Sequence, residues 1–211
     1  MCADSAFGQV NLFEKRNLAD WDFHCDPSGT AAGSVYSFSN DGVLSCKGEP
    51  FGYLATKNLY KNFQLSVEYR WSAGAKPTNS GIFLRLKSQP ENTFLPQCYE
   101  VQLGHGRNGD IWGFHGMTLT ASEDTKSRFS ERDGGAKLGH ISGFSKVSDA
   151  EREAGEWNQI EILCSGNIIV IAVNGKIVNW TRGAEVTAGK IGFQSEGGPV
   201  EFRNAVLRPI E

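Results

Sequence analysis

From Phe63 to Trp71 the chain alternates apolar and polar residues without a break. Phe63, Leu65, Val67, Tyr69 and Trp71 fall on one side, and Gln64, Ser66, Glu68 and Arg70 on the other. A period of two is the mark of a strand with one buried face. The same pattern predicts a strand over residues 82–86, with Ile82, Leu84 and Leu86 on one face and Phe83 and Arg85 on the other. Over residues 99–103 it sets Glu100 and Gln102 opposite Tyr99, Val101 and Leu103. Hairpin signals are equally local. Asn40-Asp41-Gly42 joins two strands within residues 35–47, Ser165-Gly166-Asn167 joins residues 157–164 to 168–173, and Asn174-Gly175 makes the next turn. Near the C-terminus, residues 191–196 bury Ile191 and Phe193 and turn Gln194 and Glu196 outward.

Two segments read differently. Residues 117–147 are mostly polar and Gly-rich, and they predict a long loop on a binding rim, with Phe129, His140 and Phe144 folding over a ligand. Ser148 followed by Glu151 forms a capping box and predicts a short helix over 148–153. Phe13, Leu18 and Trp21 serve as anchors for the N-terminal segment. With about twelve strands and one helix, the fold class is all-β, a sandwich of two antiparallel sheets.

Composition agrees: 13 Phe, 5 Trp and 5 Tyr with 25 Gly suit strands joined by tight turns. The 211 residues suit one domain. A net charge of −3 argues against a nucleic-acid partner, and no apolar run is long enough for a membrane span. The five cysteines, Cys2, Cys25, Cys46, Cys98 and Cys164, include no CxxC pair, which argues against a structural zinc cluster. Met1-Cys2-Ala3-Asp4-Ser5 fits a start at a bacterial lipoprotein cysteine, and a cytosolic protein with five thiols is the alternative.

The candidate chemistry lies between Asn79 and Gly113, where Phe83, Arg85, Glu100 and Gln102 share one predicted surface. A flat ring with planar bidentate groups is what a protein uses to hold a sugar. A solvated face of a half-buried sheet accounts for the same alternation. Glu68, Arg70, Gln194 and Glu196 extend this surface, Asn79 borders it, and Trp112 is a candidate stacking platform.

Several phrases occur together in order: Asp41-Gly42-Val43-Leu44, Gly52-Tyr53-Leu54-Ala55-Thr56, Phe63 to Trp71, Asn79-Ser80-Gly81-Ile82-Phe83, Tyr99-Glu100-Val101-Gln102, Gly155-Glu156-Trp157-Asn158, Val173-Asn174-Gly175 and Glu201-Phe202-Arg203-Asn204. In this the chain resembles the 3-keto-disaccharide hydrolase domain family from about Val10 to Arg208. The resemblance implies a concanavalin A-like jelly roll in an exported bacterial protein, periplasmic or lipid-anchored, that cleaves glycosides already oxidised to a ketone at C3. The chain departs from the family pattern at Trp112, where Tyr is frequent, and at Leu103-Gly104-His105-Gly106, where an acidic residue is common.

A C3 ketone acidifies the C2 proton, so a base at C2, a donor or divalent cation at the C3 oxygen and an acid at the leaving oxygen suffice for cleavage. Two carboxylates flanking C1 are the hydrolytic alternative. Glu100 is expected as base, oriented by Arg85, with His105 and His115 as acids or, with a carboxylate, as ligands for a divalent cation. Asn79, Phe83, Gln102, Trp112, Glu68, Arg70, Gln194 and Glu196 are expected to bind the glycoside. A non-catalytic carbohydrate-binding module remains the alternative, because the fold does not fix the function.

Overall fold

A computed structural model describes residues 8–26, 28–74, 76–90, 93 and 95–211. Its strands are β1 (Val10–Asn11), β2 (Trp21–Asp26), β3 (Tyr36–Phe38), β4 (Leu44–Cys46), β5 (Phe51–Thr56), β6 (Phe63–Trp71), β7 (Gly81–Leu86), β8 (Tyr99–Gln102), β9 (Ile111–Phe114), β10 (Phe129–Asp133), β11 (His140–Phe144), β12 (Asn158–Ser165), β13 (Ile168–Val173), β14 (Lys176–Thr181), β15 (Lys190–Ser195) and β16 (Val200–Pro209). They form two antiparallel sheets. The back sheet has the order β14-β13-β12-β6-β16-β4-β3, with β1 beside β16, and the front sheet runs β10-β11-β9-β8-β7-β15-β5-β2. The predicted all-β, two-sheet sandwich is the observed architecture.

The core fills the space between the sheets. On β6 the five apolar residues of the alternation are all buried, and they pair through the ladder with Ile160 and Ile162 of β12 and with Phe202 and Leu207 of β16. From the front sheet Phe193 reaches the same layer, where its ring lies 5.2 Å from Phe13, 5.9 Å from Trp21 and 5.0 Å from Phe202. Phe13 and Trp21 thus fasten the N-terminal segment to the core, as their spacing predicts. The Asn40-Asp41-Gly42 hairpin is β3–β4, and the Ser165-Gly166-Asn167 hairpin is β12–β13. Asn174 (φ 50°) and Gly175 (φ 79°) supply the two left-handed residues that a tight hairpin turn between β13 and β14 requires.

Two expectations are corrected. Residues 117–147 are not a long loop: they contain the β10–β11 hairpin, which extends the front sheet past β9, with a single helical turn (Gly135–Leu138) near its tip. Phe144 is buried in the core against Phe129, and His140 sits 2.9 Å from Glu131 on the exposed side, so these three do not fold over a ligand. Residues 148–153 form no helix. Asp149 Oδ1 instead accepts from the Lys146 ammonium (3.0 Å) and the Glu151 amide (3.3 Å), and Asn158 Oδ1 accepts from the Arg152 amide (2.8 Å), which holds the segment as an irregular turn.

Cys25, Cys46, Cys98 and Cys164 are buried, while Cys2 and the proposed lipoprotein start lie outside the described residues. No helix among the described residues is long and apolar enough to cross a membrane.

Candidate functional site

The ladder of the front sheet brings the candidate residues into rows. Phe83 of β7 faces Glu100 of β8, which faces Trp112 of β9, which faces Gly143 of β11. One step along, Gly81 faces Gln102, and Asn79 bridges to Glu196 just beyond β15. Asn79, Glu100, Gln102, Trp112 and Glu196 therefore come together on the outer face. Together with Arg107, Arg132, Leu138 and Ile141 they line an open cavity of about 180 Å³. That is below the roughly 300–1,000 Å³ of most small-molecule pockets.

Glycines make this packing possible. Gly81 lies under the Glu100 side chain: a Cβ there would meet Glu100 Cγ at 2.8 Å. Gly143 lies under the Trp112 indole, where a Cβ would come within 2.8 Å of the ring. Gly81→Ala is accordingly expected to push the carboxyl out of place. Because a displacement of about 1 Å at a reacting group can cost on the order of 10²-fold, this variant should lose most of its activity while keeping a wild-type circular dichroism spectrum. Full activity in Gly81→Ala would mean that the position of Glu100 is unimportant.

The electrostatics of the cavity are unusual for a sheet surface. Glu100 is only 3% exposed, and its Oε1 has no hydrogen-bond partner among the described residues. Burial, reinforced by the neighbouring Glu196 carboxylate and opposed by the Arg107 guanidinium, pushes its pKa up to about 8. Burial also raises Glu196, against the neighbouring Asn79 and Gln194 side chains, which favour its ionised form. The two carboxyls repel, which disfavours ionising both, and Glu100 is the more deeply buried of the two. Arg107 also stands 5.4 Å from the Trp112 ring and donates to Asp110 Oδ2 at 3.1 Å.

Several expected site residues lie elsewhere. Arg85 was expected on the outer face beside Glu100 but is fully buried. Between the pairs Phe83–Gly192 and Leu86–Lys190, β7 carries two residues against one on β15, so the alternation slips there, and Arg85 takes a left-handed φ of 49°. Its guanidinium donates to the carbonyls of Lys61 (3.1 Å), Glu185 (2.5 Å) and Gly166 (2.7 Å). It fastens three connecting segments and does not orient Glu100.

Phe83 does face outward, but Tyr53, Leu86, Leu95, Cys98 and Phe114 cover it completely, so it has no face left for a sugar. Glu68 and Arg70 belong to β6 in the back sheet. There Arg203 holds Glu68 at 2.7 Å, Glu201 holds Arg70 at 2.6 Å, and Trp157 is flanked by both arginines, so neither residue reaches the cavity. Gln194 is fully buried and does not line the cavity, although its amide favours the ionised form of Glu196.

The two histidines are also outside. His105 is 55% exposed, and its Nδ1 lies 3.4 Å from Glu151 Oε2. His115, with φ 52°, is wedged against Gly139, and burial lowers its pKa. Their separate loops keep them from acting together as acids or as metal ligands. Among the described residues no three His, Cys, Asp or Glu side chains converge as a cation site. The donor set expected for a divalent cation is therefore not assembled, and no step below passes through a metal.

A larger groove, about 540 Å³, crosses the outer face of the back sheet. Glu161 is its one carboxylate, and it is exposed on the ladder. The buried carboxyl pair makes the smaller cavity the candidate site.

The sequence matches the profile of the 3-keto-alpha-glucoside-1,2-lyase-like domain over residues 8–208, nearly the whole chain. The protein belongs to this family. No curated protein matches it. Among solved structures the lyase-like domain is similar to a candidate glycosyl hydrolase from Parabacteroides distasonis, at 23% identity over 96% of this chain and 100% of that one, with a TM-score of 0.63. It is also similar to a Bacillus subtilis carbohydrate-binding module (10% identity, 90% and 95% covered, TM-score 0.60) and to a Bacillus licheniformis β-glucanase (14% identity, 97% and 99% covered, TM-score 0.58). At these identities the likeness fixes the fold, a concanavalin A-like jelly roll. Family membership ties the lyase-like domain to carbohydrate chemistry.

Arg107 and Arg132 are the charged cavity residues that the sequence reading misses. Arg107 follows His105 in the same loop, so the signal was present but attached to the wrong side chain. Arg132 lies on a strand whose polar run shows no alternation.

Proposed function

We propose that this domain cleaves the glycosidic bond of sugars carrying a ketone at C3, by elimination, with Glu100 as acid and Glu196 as base. The observation that carries the reading is the buried carboxyl pair, in which Glu100 is pushed up to about 8 beside Glu196. Such a pair presents one carboxylate and one carboxylic acid at neutral pH. Glu196 takes the C2 proton made acidic by the ketone. The C–H electron pair moves into the C2–C3 bond and the negative charge goes to the C3 oxygen as an enolate; when the ketone re-forms, that pair becomes the C1–C2 double bond as the C1–O bond breaks, and Glu100 gives its proton to the departing oxygen. The products are an unsaturated keto sugar and the free alcohol, and later addition of water completes a net hydrolysis. Arg107, whose charge reaches Glu100, stabilises the developing enolate, and Trp112 offers an apolar face to the ring.

These roles differ from the sequence expectation, in which Glu100 was the base; burial keeps it protonated and hands that role to Glu196. A non-catalytic module has no use for a buried carboxyl lacking a hydrogen-bond partner, which costs stability. The test is the isotope effect at C2. A 3-keto-glucoside deuterated at C2 should be cleaved more slowly than its protiated twin, and in D2O the hydrated product should carry solvent deuterium at C2. Equal rates and no exchange would replace elimination by displacement at C1.

A further inference from the structure

The cavity has two arginines, and the protein treats them differently. Arg107 is held by Asp110 and lies over Trp112. Arg132 has no carboxylate, carbonyl or ring partner among the described residues. On either side of it, Glu131 pairs with His140 at 2.9 Å, and Asp133 Oδ1 accepts from the Gly135 amide at 2.8 Å. Both neighbouring acids are therefore committed elsewhere. Arg132 pairs on the ladder with Ile141, and together with Leu138 they form the β10–β11 wall of the cavity. An exposed arginine in water is ordinary; one that borders a carboxyl-lined cavity without a counter-charge is a place for an anion.

Position decides whether an anion can be tolerated there. The Glu100–Glu196 pair repels any negative group brought close to it. Arg107 acts on Glu100. Arg132 is on the edge strand β10, three strands from Glu100 on β8, with Glu196 farther still beyond β15, so it stands at the end of the cavity away from the repelling charges. Beside it the half-buried Leu138, packed on Ile141, provides an apolar contact for the C–H face of a ring.

We infer that the leaving half of the substrate is acidic: its ring packs on Leu138, and its carboxylate, sulfate or phosphate is gripped by Arg132. This rests on the proposed cleavage for the word "leaving", but the binding preference can be read without turnover. A guanidinium matches a planar or tetrahedral oxyanion with two parallel N–H donors, which an ammonium cannot do as well.

The experiment compares two 3-keto-glucosyl disaccharides that differ only in the second ring, glucose in one and glucuronic acid in the other. The dissociation constant is measured by calorimetry and kcat/KM by product release. The wild type should favour the acidic disaccharide by about tenfold in affinity, the scale of one charge-assisted contact. The preference should shrink as salt is raised. In Arg132→Gln the ratio should fall to about one, and Arg132→Lys should keep part of it. A wild-type ratio of one, or the same ratio in Arg132→Gln, overturns the inference. Should neither compound be cleaved while the affinity ratio persists, the cleavage reading fails and the acidic preference stands.

Discussion

Glu100→Gln will abolish cleavage of a 3-keto-disaccharide, with a loss of roughly 10²–10⁴-fold in kcat, while leaving the fold intact. The loss should depend on the leaving group. An alkoxide needs the Glu100 proton to depart, whereas a nitrophenolate does not, so the variant should retain much more activity on a nitrophenyl 3-keto-glucoside. Glu196→Gln should lose activity on both, because every leaving group requires removal of the C2 proton. Equal losses of Glu100→Gln on both substrates would take the acid role away from it.

Stability supplies an independent readout of the same residue. Glu100 has a folded pKa of about 8, against about 4.3 in an unfolded chain. Below about pH 4 both states hold the proton. As pH rises from there towards 8, the unfolded chain ionises while the folded one does not, so stability falls across this window and levels off above it. The full cost is on the order of 5 kcal/mol. Glutamine cannot ionise, so the variant should lose less stability than the wild type between pH 5 and pH 9. Parallel melting curves for the two proteins across that range would mean that Glu100 is not a buried, proton-holding group.

Arg85→Met will destabilise the protein by about 3–5 kcal/mol, the scale seen when one partner of a buried charged network is removed. The carbonyls of Lys61, Gly166 and Glu185 would be left in the interior without a donor, each at a cost of about 1–3 kcal/mol. No ligand contact is lost, since Arg85 lies on the inner side of the bulge. The folded fraction should therefore bind and cleave substrate with unchanged constants at low temperature. A protein that melts normally but has lost activity would return Arg85 to the site.

These two residues also show how far alternation can be read from the sequence. Period two says which side of a strand a residue occupies, and over β6 and β8 it does so correctly because no residue is inserted. On β7 one extra residue reverses the pattern between Phe83 and Leu86. The sequence of β7 contains no glycine or proline at that point to announce it. Alternation is also silent about which sheet a strand joins. Glu68 and Arg70 alternate as cleanly as Glu100 and Gln102, yet β6 lies in the back sheet, and long-range pairing decides that. The β10–β11 hairpin escaped notice for a third reason. β10 has a partner on only one side, and the four residues after Phe129 are polar and exposed, so there is no buried face to create a pattern. By contrast Asn79, Glu100, Gln102, Trp112 and Glu196 are legible from the sequence, because two adjacent front-sheet strands, β8 and β9, and the residues flanking β7 and β15 present them at matched register.

The central claim is that a ketone at C3 makes this cavity catalytic. It is tested most directly by incubating the protein with a glucoside and its 3-keto counterpart, identical in aglycone, and measuring aglycone release. Release from the 3-keto compound alone, lost in Glu196→Gln, is the predicted result. Equal cleavage of both would assign the carboxyl pair to ordinary glycoside hydrolysis, and binding of either without cleavage would contradict catalysis at this site.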